Sequence, residues 1–305
     1  MPDAEAPGSV VPEPGATTPI PRALRRRDRA AGTTPSRYAD LSAYLLAHTL
    51  AIAVGVNLAL FLLAYLSYTP KFLFNDDPMM MLLVAGVGRA TQPTIHLLYS
   101  NAMLGWVLKL LYSITPDLAW YTLYLISGLF AAHTAFLYLA VKRAPRGLVV
   151  ILYVAYFCLV GMHLLIHLQF TIVSVMLSLA GFLLLISEGR PGSESLCPGW
   201  KPLLTSQNAT GVLLVVLGSL VRFDGMALAC VLVTPFFLLL LRHGLYRVAV
   251  SRAVLWLIGI LLSFGFLSLN KAALSRYPDV TAQVLERPQV SSLACRMPAV
   301  DGWSL

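Results

Sequence analysis

From Leu41 onward the chain alternates long apolar runs with short polar or charged connections. The runs fall at 41–68, 119–141, 147–163, 168–187, 209–222, 225–241 and 252–269, and most are apolar on every face rather than along one stripe. Crossing a bilayer takes roughly 20 such residues in a helix. A helix apolar all round belongs in lipid or in the middle of a large core. The pattern predicts an all-α protein, a polytopic transmembrane helix bundle of about seven spans.

Two segments break the pattern. Residues 95–115 are apolar and almost long enough to cross, yet Asn101, Gly105, Lys109 and Ser113 recur at every fourth position, along one helical face. An amphipathic helix on the outer membrane surface fits that stripe. Residues 78–88, rich in Met and Leu, form a shorter companion helix with Pro78 in its first turn. Residues 1–38 have no apolar period and are rich in Pro, Ala, Gly and charge, the composition of a disordered tail. The expected organisation is a basic cytoplasmic tail over 1–38, a membrane domain over 39–270 and a short extracytoplasmic tail over 271–305.

Charge orients the bundle. Charged residues make up only 12% of the chain, about half of what soluble domains carry, and the mean hydropathy is +0.75. The net charge of +8 is concentrated in connections: Arg22, Arg25, Arg26, Arg27 and Arg29, then Lys142, Arg143 and Arg146, then Arg190 and Lys201, then Arg242, Arg247 and Arg252. With the N-terminus in the cytoplasm these all fall on the inner side, as positive-inside asymmetry requires. A further crossing at 95–115 would turn the later basic loops outward. The first run is too long for a signal-peptide core, so the chain reads as a multi-pass protein of the plasma (inner) membrane. The basic residues are not interleaved with an aromatic stripe, which argues against nucleic acid and for membrane lipid as their partner. Cys158, Cys197, Cys230 and Cys295 have neither a disulfide framework nor metal-site spacing.

The candidate chemistry gathers on the outer side. Asn75-Asp76-Asp77 lies just beyond the first span, where two adjacent carboxylates must face water, a metal or a polar substrate. They read as a metal pair, as a general base with an orienting partner, or as the N-cap of a helix beginning at Pro78. The first outer loop adds Arg89 and His96. His163 and His167 stand four apart, spacing that suits a metal or phosphate-facing pair, or headgroup contacts. Arg222 closes an apolar run and is followed by Phe223-Asp224; its planar fork suits an oxyanion, or it pairs with Asp224. His133, alone in a span, reads as a hydrogen-bond partner between helices.

Several of these residues carry a resemblance. Phe74-Asn75-Asp76-Asp77-Pro78-Met79-Met80-Met81, Ser100-Asn101-Ala102-Met103-Leu104-Gly105 and Trp120-Tyr121 resemble bacterial multi-spanning glycosyltransferases of the GT-C type, which use polyprenyl-phosphate-linked sugars. Gln169-Phe170-Thr171 and Leu220-Val221-Arg222-Phe223 extend the likeness more loosely, so it covers residues 40–270. The resemblance implies a GT-C-like fold with an acidic motif in the first outer loop, flanked by surface helices. It implies Asp76 or Asp77 as the base that deprotonates an acceptor hydroxyl, with a divalent metal ion at the same pair. Asn75, Arg222, Asp224, His163 and His167 would contact the substrate, and the acceptor would be a cell-envelope glycan or lipid. Such proteins continue with further spans or an outer domain, so 271–305 reads as a truncated tail. Two other classes compete. A proton-coupled transporter or flippase of envelope precursors would place ionisable residues at the bilayer midplane and show repeated halves. A non-catalytic membrane protein needs no site at all.

Overall fold

The computed structural model describes residues 37–73, 76–87, 93–95, 97, 99–187, 205–242 and 246–275. Asn75, Arg89, His96, Arg190, Lys201 and most of both tails lie outside these residues. The chain divides after Asp40 into a short N-terminal unit and the main body from Leu41 to Leu305. Among the described residues ten helices follow in order: α1 (Arg37–Ala47), α2 (Thr49–Ser67), α3 (Asp76–Ala85), α4 (Ala102–Ile114), α5 (Trp120–Arg143), α6 (Gly147–Ile166), α7 (Phe170–Ser187), α8 (Ser206–Val221), α9 (Phe223–Arg242) and α10 (Tyr246–Ser275).

Five of the described segments are long and apolar enough to cross a membrane: α2, α5, α6, α7 and Arg252–Ala272 within α10. The expectation of seven spans is met only that far. α8 has 16 residues, and the apolar part of α9 is Phe223–Leu239. At 1.5 Å per residue α8 is about 24 Å long, short of a hydrocarbon core of about 30 Å. The cause is Arg222, whose extended backbone (φ −157°, ψ 119°) separates the two helices. The first predicted run also divides. His48 (φ −113°, ψ 21°) stands between α1 and α2, although hydrogen bonds from His48 to Tyr44 and from Ile52 to His48 continue through it.

α7 is the central helix, with α5, α8 and α9 packed along it. Small residues make the approach close. A Cβ on Gly181 would lie 2.6 Å from the Gly211 carbonyl oxygen, one on Gly218 would lie 2.9 Å from the Ser174 carbonyl oxygen, and one on Gly225 would strike the Ser174 side chain. Such small-residue seams are how helices pack where no hydrophobic effect drives them together. Leu58, Leu62 and Leu66 of α2, Ile151, Leu152 and Leu159 of α6 and Leu261 of α10 point outward, each more than half exposed. An apolar rim on this scale is the kind a bilayer covers.

Three features position the site. Two short strands depart from the all-α expectation: β1 (Lys71–Phe72) pairs in parallel with β2 (His167–Leu168), and the Leu73 amide donates to the Leu168 carbonyl at 3.0 Å. This ladder ties the segment after α2 to the segment after α6. α3 begins at Asp76, so its carboxylates stand in the first turn, where the helix dipole favours negative charge. It ends at Gly86 (φ 73°), with the Val87 amide on the Leu82 carbonyl (3.0 Å) and the Gly86 amide on the Leu83 carbonyl (3.3 Å). This left-handed cap is open to glycine at little cost.

α4 is amphipathic in a sense opposite to the stripe read from sequence. Asn101 and Gly105 are buried, and only Lys109 and Ser113 of that row are exposed. Asn101 caps α4 by accepting from the Met103 amide (3.0 Å) and donates through Nδ2 to the Phe266 carbonyl (3.0 Å), while Asn270 Oδ1 accepts from the Ala102 amide (2.8 Å). Gly105 lies against the Ile95 backbone. The face left outward is apolar: Met103, Trp106, Val107, Leu110 and Ile114.

Candidate functional site

The two carboxylates of α3 have unlike surroundings. Neighbours in a helix point about 100° apart, and here Asp76 is half-buried while Asp77 has no exposed surface. Asp77 Oδ1 accepts from the Tyr121 hydroxyl at 2.8 Å and from the Phe170 amide at 3.3 Å. Its Oδ2 is buried and has no hydrogen-bond partner. Burial pushes the Asp77 carboxyl up to about 6; the two donors oppose that rise, and the nearby Asp76 charge adds to it.

Tyr121 sits in the first turn of α5 with 1% of its surface exposed. Its amide donates to the Tyr112 hydroxyl of α4 (3.3 Å), and the indole of Trp120 donates to the Thr115 carbonyl (2.9 Å). The start of α5 is therefore pinned to the end of α4. Burial raises the Tyr112 hydroxyl above its ordinary value, so it is neutral near pH 7. The Ser100 hydroxyl points at the Met80 sulfur (3.8 Å), which also lies 3.9 Å from the Tyr121 oxygen.

Phe170 joins Asp77 to Arg222. Its amide holds the carboxylate, and its ring lies 5.3 Å from the Arg222 guanidinium carbon. Tyr99 stacks on Phe170 with centroids 5.8 Å apart and planes 12° apart, and its ring lies 5.7 Å from the same carbon. Two aromatic faces at these distances hold a cation without neutralising it. Thr171 Oγ1 accepts from Arg222 Nη1 at 2.8 Å, and Asp224 Oδ2 lies 3.5 Å from Arg222 Nε. The Arg222 side chain keeps 31% of its surface and Asp224 keeps 80%. The ion pair read from sequence is therefore present, and an exposed pair of this kind contributes little. Behind it, Ser174 Oγ reaches the carbonyls of Gly218 (2.8 Å) and Arg222 (2.7 Å), fixing the backbone of the cation.

His163 and His167 come together, with ring centroids 4.6 Å apart. They do not share a helical face, since α6 ends at Ile166 and His167 belongs to β2. The pairing of His167 with Lys71 brings it into the segment that runs on to Phe170. Asn75 lies outside the described residues. As for a metal ion, no group of three His, Cys, Asp or Glu side chains converges among the described residues. Asp77 has one oxygen occupied and the other buried. Among the described residues no all-protein cage for a hard divalent cation is present at Asp76 and Asp77.

Three participants escaped sequence reasoning: the Tyr121 hydroxyl, the Phe170 amide and the two-residue ladder. Trp120-Tyr121 and Phe170 stood out only through the family resemblance. His133 also differs from expectation. Its Nδ1 lies 2.9 Å from the Leu129 carbonyl of its own helix, and the ring is enclosed by Phe61, Phe136, Tyr156 and Phe157. The expected hydrogen bond between helices is made by its main chain instead: the His133 carbonyl lies 3.1 Å from the Tyr153 hydroxyl, which also reaches Asn57 Oδ1 (2.6 Å). No protein-family model, curated protein or solved structure matches the chain.

Proposed function

We propose that the protein is an integral membrane glycosyltransferase of GT-C-like architecture. In this reading it transfers a sugar from a polyprenyl-phosphate donor to an acceptor hydroxyl at the outer face of the plasma membrane. Seven crossings, an N-terminus in the cytoplasm and α4 lying in the outer interface on its apolar face complete the arrangement. One observation carries the reading: a buried carboxylate, Asp77, held on one oxygen by Tyr121 and Phe170, with the same Phe170 bearing the cation Arg222 on its ring.

The chemistry follows from those two groups. An acceptor hydroxyl is a weak nucleophile and needs a base as its oxygen bonds to the anomeric carbon. Asp77 takes that proton, and a base with a value of about 6 is close to the working pH without losing proton affinity. The bond from the anomeric carbon to the phosphate oxygen breaks, and the polyprenyl phosphate leaves with the electron pair. Arg222 meets that charge on a shelf already built, so little reorganisation is required. Asp77 is closed off in the state described, so substrate reaches it only after the cover parts, as lids do elsewhere.

The test is the envelope itself. Asp77→Asn abolishes transfer in cells, whereas Asp76→Asn, at the half-buried position, retains part of it; composition of the cell-envelope glycan reads both. Unchanged glycan in both variants and in their combination overturns the enzyme reading. Unchanged glycan together with loss of a proton-driven substrate flux selects transport instead.

A further inference from the structure

We infer that Tyr121 is the positioning residue of the site: its hydroxyl, with the Phe170 amide, reserves Asp77 Oδ1 for anchoring and leaves Oδ2 as the atom that takes and releases the proton. This rests on Asp77 as the base.

The two oxygens of a carboxylate are equivalent until the surroundings divide them. Here they are divided completely: Oδ1 has two donors and Oδ2 has none, although both lie in a fully buried side chain. A buried charged acceptor without a donor is costly, and that cost falls when the atom carries a proton and the charge is neutralised. Oδ2 is therefore the basic atom, and Tyr121 determines this by occupying the other one. The tyrosine is itself tied at several points. Its amide is bound to Tyr112, its ring lies 6.2 Å from that of Phe72 and its helix start is pinned through Trp120. The carboxyl is thus oriented by the rigid start of α5 rather than by α3, the short helix that carries it. Among the described residues the titratable groups that face Asp77 are Asp76 on its own helix and Tyr121 on α5, with Tyr112 of α4 behind Tyr121.

The experiment reads the proton on Asp77 without requiring turnover. Dicyclohexylcarbodiimide labels protonated carboxyls in apolar surroundings, and mass spectrometry locates the label in the full-length protein across a pH series spanning the Asp77 value of about 6. Asp77→Asn identifies the labelled site by its loss. Removing a donor from a carboxylate favours the protonated form, so Tyr121→Phe moves the midpoint of labelling upward by about one pH unit, about tenfold more label on the basic limb. Incorporation of 3-fluorotyrosine at position 121, nearly isosteric and a stronger donor, moves it downward; a role in packing alone yields no such opposed pair. Tyr112→Phe, which touches only the backbone of Tyr121, leaves the midpoint in place. Equal midpoints in the wild type and both Tyr121 variants, or shifts of the same sign in both, overturn the assignment. Equal midpoints with glycan transfer still lost in Asp77→Asn overturn the role of Tyr121 and leave the transferase reading standing. Opposed shifts with intact glycan in Asp77→Asn do the reverse.

Discussion

Replacing Asp77 by Asn should change how the protein's stability responds to pH, in a direction set by burial. The carboxyl rises from an ordinary 3.8 to about 6 on folding. At 1.36 kcal/mol per pH unit that is about 3 kcal/mol of extra proton affinity in the folded state. Because the folded value is the higher one, protonated Asp77 adds stability that is fully present below the unfolded value of 3.8 and is lost as pH climbs through about 6. On the basic side of that value the native state holds a buried carboxylate whose Oδ2 has no donor. A carboxamide at this position would preserve the shape and keep an acceptor for Tyr121 and Phe170, yet it has nothing to ionise. Equilibrium unfolding of the purified protein in detergent, followed by tryptophan fluorescence at about pH 4.5, 6 and 7.5, measures the difference. Some of the effect is already spent at the lowest of these values, so the stability of Asp77→Asn relative to wild type should improve by about 2 kcal/mol from the lowest pH to the highest. A relative stability that stays flat across this range refutes the reasoning, since it would mean that Asp77 titrates alike in the folded and unfolded chains.

Two further outcomes test the frame around the site. Gly218→Ala places a methyl against Ser178 and the Ser174 backbone, and such overpacking costs about 1–3 kcal/mol; a thermal unfolding midpoint equal to wild type would show that the seam yields. In a background with the four native cysteines replaced, Leu73→Cys should react with an impermeant maleimide in intact cells, and Pro145→Cys only after permeabilisation. Labelling of position 73 from the inside alone would reverse the topology and remove the outer-face reading.

Much of the helical order was legible in the residues. Apolar runs at 119–141, 147–163 and 168–187 became α5, α6 and α7 with ends shifted by a few residues, because a helix apolar all round has few competing structures. Other features left no periodic trace. A strand of two residues cannot alternate, so the ladder between Lys71–Phe72 and His167–Leu168 was invisible. Neither carboxylate could be preferred, since only tertiary packing decides which of two adjacent helical residues faces inward. The donors to Asp77 are distant in sequence, and one is a main-chain amide that almost any residue could supply. In α4 the error was one of meaning: Asn101 and Gly105 counted as a water-facing stripe, yet one is a cap and the other permits close approach to Ile95. Arg222 and Asp224 were readable because their pairing is local.

The glycine and serine seam along α7 also decides what can move. Helices that touch backbone to backbone have no layer of side chains to slide or re-sort, so α7, α8 and α9 act as one stiff beam. Arg222 is bolted to that beam twice, through its own amide on Gly218 and through Ser174 on its carbonyl. Asp77 rides on a ten-residue helix and reaches the beam through the single amide of Phe170. The cation is in this sense part of the frame, whereas the carboxylate is held by side-chain and main-chain donors from two other elements, α5 and the start of α7. On the proposed transferase reading, the leaving group would thus meet the rigid side of the site, the fixed jaw of a vice.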